Sequence, residues 1–68
     1  MSERIPTRMV IKTEKIGEAV VFEVFGQYAD GGYWSVGPRF IRERKAQKLA
    51  RVVAAACGGV PVAGPEGV

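Results

Sequence analysis

Histidine is absent from this chain, cysteine occurs once as Cys57, and the two serines stand in unrelated contexts. Catalysis needs groups whose protonation can be tuned and whose positions converge, so this inventory argues against an enzyme. One cysteine excludes an internal disulfide, and without histidine a zinc site has too few natural ligands; no metal and no cofactor is expected. Cys57 falls on the apolar side of a predicted helix near its carboxyl end, where the dipole disfavours a thiolate, so it reads as a small core residue. The longest uninterrupted apolar run, Val52 to Cys57, is far short of the roughly 20 residues of a membrane span. The lone cysteine, and a start that does not read as a charged segment leading into an apolar one, predict a cytoplasmic setting with no membrane partner. Neither Gly31-Gly32 nor Gly58-Gly59 follows a strand and opens a helix, so no phosphate loop is present.

What the chain does have is charge in one place. Six of its ten basic residues lie between Arg39 and Arg51, opposed only by Glu43, while the remainder carries four basic and six acidic residues. The overall charge of +3 is therefore one local excess. A concentrated basic stretch on an amphipathic helix suits an anionic partner or a merely solvated face. Here the face lacks acidic residues four positions on, and Arg39 and Arg42 carry the charge into the preceding turn.

At 68 residues the chain makes one small domain, which buries roughly 60% of the surface that its unfolded form exposes. With 47% apolar and 25% charged residues it has the composition of a folded globular protein. Residues 1–6 read as a flexible leader, 7–58 as the domain and 59–68 as a flexible Gly/Pro tail. Alternation from Arg8 to Thr13 predicts a strand with Met9 and Ile11 inward. Glu14 to Glu18 suits a hairpin connection, and Ala19 to Phe25 reads as a central strand apolar on both faces, which leaves room for a homodimer. Tyr33 to Val36 makes a third strand that Gly37-Pro38 ends.

A helix is predicted at about residues 41–57, with Ala46, Leu49, Ala50, Val53 and Cys57 on one side and Arg44, Lys48 and Arg51 on the other, Lys45 flanking. Phe40 and Ile41 are expected to anchor its entry, and Gly58 to cap its end. The expected fold is α+β: a three-stranded antiparallel sheet packed by one C-terminal amphipathic helix, in the order β-β-β-α. Docking of Val60 to Val62 as an edge strand is the lesser alternative to a free tail.

Three strands followed by a helix, with Arg8 and Lys12 on the first strand, resemble the amino-terminal arm-binding domains of tyrosine recombinases, which implies sheet contact with duplex DNA. Arg44-Lys45-Ala46-Gln47-Lys48-Leu49-Ala50 is similar to the basic opening of the last helix in double-stranded-RNA-binding domains. In format, a small α+β chain without catalytic groups resembles phage-encoded inhibitors, including anti-CRISPR proteins, which implies docking on protein or nucleoprotein machinery. The expected function is accordingly a non-enzymatic inhibitor that binds a host nucleic-acid-processing complex. Its expected binding residues are Arg39, Arg42, Arg44, Lys45, Lys48 and Arg51, with Tyr28, Tyr33 and Trp34 of the second turn. Direct binding of duplex DNA or RNA is the alternative.

Overall fold

The computed structural model describes residues 5–65. β1 (Arg8–Ile16) and β2 (Ala19–Gln27) form an antiparallel hairpin in unbroken register from Arg8↔Gln27 to Ile16↔Ala19. The connection is only two residues, Gly17 and Glu18, shorter than the spacing of charges suggests. β3 (Tyr33–Phe40) continues antiparallel to β2, and α1 (Glu43–Ala56) follows at once. The last element, β4 (Val62–Ala63), runs parallel to β1 through Met9↔Val62 and Val10↔Ala63, giving the order β3-β2-β1-β4.

The fold is α+β as expected, but the sheet has four strands and is mixed. The expected three-stranded antiparallel sheet with a free tail is corrected at this point. The Met9 amide donates to the Pro61 carbonyl at 2.9 Å, and Val60 packs against the core, so residues 60–63 are held by backbone pairing and apolar contact. A second correction concerns Gly37-Pro38, which does not end β3. Pairing passes from Val24↔Val36 to Phe22↔Phe40, so β3 absorbs two extra residues in a bulge, with Gly37 at φ +74°. Within the expected leader, Pro6 is buried and lies against Gly26; residues 1–4 of the leader and 66–68 of the tail lie outside the described residues.

Met9, Ile11, Val24 and Val36 are buried on one sheet face, where α1 covers them with Ala46, Ala50 and Ala54. Alanines at i, i+4 and i+8 share a stripe of the helix, and their small side chains let the backbone lie close to the sheet. Phe22, Phe40, Leu49 and Val53 seal the margin. Burying a Val, Leu, Ile or Met side chain contributes roughly 1.5–3 kcal/mol, so this handful of large residues carries most of the driving force. Val10 points to the other face yet is only 2% exposed, between its register partners Phe25 and Ala63. Gly58 at φ +92° closes α1, and the Gly59 and Val60 amides donate to the Ala54 carbonyl.

Candidate partner-docking surface

The expected site residues fall on different surfaces. On the sheet face away from α1, register places Arg8, Lys12 and Glu14 of β1 with Glu23, Phe25 and Gln27 of β2 and with Tyr33 and Ser35 of β3. This face is internally satisfied. Arg8 Nε donates to Gln27 Oε1, and Gln27 Nε2 donates to the Tyr33 hydroxyl at 3.1 Å. Lys12 Nζ stands 4.2 Å from the Tyr33 ring centroid and 5.6 Å from that of Phe25, while the two rings meet edge to face at 6.2 Å. The Ser35 hydroxyl donates to Glu23 at 2.9 Å, and Arg39 pairs with Glu14 at 3.6 Å and Glu23 at 3.5 Å.

Arg39 therefore leaves the basic cluster it belongs to in sequence, and this corrects its assignment to the helix patch. The aromatic turn divides as well. Tyr33 is part of the network just described, with its ring already covered by Lys12. Trp34 lies on the other sheet face beside Gly26, 48% exposed. Tyr28 lines a shallow depression with Ile5, Ala29 and Asp30. The three rings stand near the start of β3, away from Arg42, Arg44 and Lys45, because α1 begins beyond the strand's far end, roughly 20 Å along a strand of this length.

The helix cations behave differently. Arg42, Arg44, Lys45, Lys48 and Arg51 are all exposed, and none forms an ion pair among the described residues. Glu43 is the one acidic residue of α1, and it accepts a hydrogen bond from Gln47. Arg44 and Lys45 sit in the first turn, where the helix dipole is positive, and the last turn has no basic residue at all. Cations at that end lose roughly 0.3–1 kcal/mol each, so the pattern opposes stability. Charge placed against local stability is the kind of inconsistency that functional surfaces carry.

Beside Lys45 and Lys48 lies an apolar groove of about 360 Å³, lined also by Phe40, Leu49 and Val52. A second depression of about 290 Å³ adjoins it, sharing Phe40 and Lys45 and adding Arg39, Ile41 and Arg42. Arg39 borders this depression, but its guanidinium turns away to the two carboxylates. Ile41 is 78% exposed and so does not anchor the helix entry as expected; Phe40 alone packs inward there. The groove is what the sequence reading misses, since Leu49 is assigned wholly to the core and Val52 to neither face. Its signal is the helical spacing of Lys45, Lys48, Leu49 and Val52, which sets an aliphatic pair beside a lysine pair.

Among the described residues no three Cys, Asp or Glu side chains converge on a possible metal position, and no helix is long and apolar enough to cross a membrane. Comparison of the chain with family models, curated proteins and solved structures finds no match.

Proposed function

We propose that this chain is a non-enzymatic binding protein that applies the basic face of α1 to an acidic surface of a larger protein or nucleoprotein assembly engaged in nucleic-acid processing, and inhibits it by occupying that surface. The observation that carries the reading is the contrast between the two sides of the molecule. On the open sheet face Arg39 is ion-paired, Lys12 stands over two rings and Arg8 donates to Gln27, whereas Arg42, Arg44, Lys45, Lys48 and Arg51 have no ion pair among the described residues. Uncompensated charge of one sign repels itself and gains most from an anionic partner. The test is the triple substitution Arg44→Glu, Lys48→Glu, Arg51→Glu. All three side chains are exposed, so the domain stays folded by circular dichroism while capture of the partner from cell lysate is lost; capture by the folded triple variant at the wild-type level refutes the assignment.

Direct binding to duplex DNA or RNA is a second reading, favoured by the straight run of Arg44, Lys48 and Arg51. These span about 10 Å of helix axis, a distance that can follow a phosphate backbone. If about three phosphates are neutralised, log affinity falls with log salt at a slope near −2.7. Fluorescence anisotropy against labelled duplexes at low salt decides it, because absence of binding there removes this reading.

A further inference from the structure

The groove between α1 and the end of β3 combines two properties that a phosphate backbone alone does not use together. Phe40 and Leu49 reach it from the core margin, so its floor is preformed, and Val52 at 60% exposed and Ile41 at 78% leave aliphatic surface in water on either side. Lys45 and Lys48 stand over the floor and Arg42 borders the adjoining depression, while no carboxylate lines either hollow. A nucleic acid would pair with the lysines and leave the apolar floor wet. A membrane surface would meet Ile41, Val52 and the cations but leave Phe40 and Leu49 at the floor uncovered. An extended or helical peptide with carboxylates around a large apolar side chain satisfies both the floor and the rim.

Resting on the docking function above, we propose that this groove is the seat of an acidic peptide segment of a protein partner. One aliphatic or aromatic side chain lies on Phe40, Leu49 and Val52, and flanking carboxylates pair with Lys45, Lys48 and Arg42. The probe is a short synthetic peptide with a Leu-Phe pair among Glu and Asp residues, titrated into isotope-labelled protein and followed by amide chemical shifts. Shifts are expected to concentrate at Phe40, Lys45, Leu49 and Val52. Replacing the Leu-Phe pair by Ala-Ala, or introducing Val52→Asp on the protein, weakens binding roughly tenfold or more, since each removes or opposes the buried apolar contact.

Equal binding of the Ala-Ala peptide, or wild-type binding by the folded V52D variant, overturns the groove assignment by showing that charge alone is read. Binding to anionic phospholipid vesicles or duplex DNA in place of the peptide overturns it in favour of those partners. The groove and the broader docking function fail separately. If V52D still captures the lysate partner and the triple charge reversal does not, the helix face stands and the groove falls; if both capture it, the helix face falls too.

Discussion

Gly37→Ala should cost this domain a large share of its stability, and two separate terms set the magnitude. Gly37 has φ +74°, a left-handed conformation that costs an L-residue roughly 1–2 kcal/mol. An added Cβ would also stand 2.8 Å from Leu49 Cδ2, closer than van der Waals contact permits. Overpacking of this kind costs about 1–3 kcal/mol, and the low end applies because the obstructing atom is a terminal methyl of a half-buried side chain beside an open groove. Together the terms give about 2–3 kcal/mol, against a total of roughly 3–10 kcal/mol for a chain of this length. The midpoint of thermal unfolding should fall by about 8–24 °C. Urea unfolding followed by far-ultraviolet circular dichroism measures the loss directly. Gly37→Asn separates the terms, because Asn brings the same Cβ but tolerates the left-handed region, and it should retain about 1 kcal/mol more than Ala. A Gly37→Ala protein as stable as the parent, or an Asn variant no better than Ala, would refute the account of why glycine stands here. Since the displaced methyl belongs to the groove wall, the Ala variant should also weaken the acidic-peptide probe.

Ala50→Leu, at a position with no exposure beneath α1, should lose about 1–3 kcal/mol by thermal melting, whereas Ala56→Leu on the exposed side of the same helix should stay within about 0.5 kcal/mol. Lys12→Met removes the cation over Tyr33 and should cost about 0.5–1 kcal/mol in urea unfolding at low salt; an unchanged midpoint would show that the contact contributes nothing. Truncation after Val60 removes the acceptor of the Met9 amide, whose hydrogen exchange should accelerate roughly tenfold relative to amides of β2, on the order of 1 kcal/mol for one hydrogen bond. Arg39→Gln should leave binding of the acidic peptide or of duplex DNA unchanged while Arg42→Gln weakens it; equal losses would show that the sequence cluster, and not the helix face, is the recognised unit.

The parts of the fold that sequence discloses are those governed by local periodicity. Alternation from Arg8 to Thr13 and the two-sided apolarity of Ala19 to Phe25 locate the hairpin, and the helical phase assigns Ala46, Ala50 and Val53 to the core. Non-local pairing leaves no such trace. β4 is two residues long in a stretch rich in Gly and Pro, so nothing periodic announces it; it exists because β1 offers a free edge near the carboxyl end of α1. The same limit applies to the site. The exposure of the basic helix face follows from phase, and the parting of Tyr33 from Trp34 from strand alternation, but which ring meets Lys12 depends on register, and the groove depends on where Phe40 meets Leu49 and Val52. Gly37-Pro38 is read as a terminator because both residues interrupt ladders, yet an edge strand tolerates them as a bulge.

That bulge also sets how Arg39 meets its carboxylates. Had the register of Val24↔Val36 continued without interruption, Arg39 would stand opposite Val21, in one row with Glu14 and diagonal to Glu23. Two extra residues in β3 bring Arg39 opposite Glu23 instead, within 3.5 Å of that carboxylate and 3.6 Å of Glu14 on the neighbouring strand. Each exposed pair contributes only about 0–1 kcal/mol, so the consequence lies less in stability than in direction. One cation of six is drawn to the open face, where it joins the network around Glu23, and the five that follow, Arg42 at the N-cap and four in α1, have no ion pair among the described residues. The passage from β3 into α1 thus separates one cation with two carboxylates from five with none among the described residues. The contrast on which the docking function rests therefore follows from where β3 ends and α1 begins within a single basic run of the sequence.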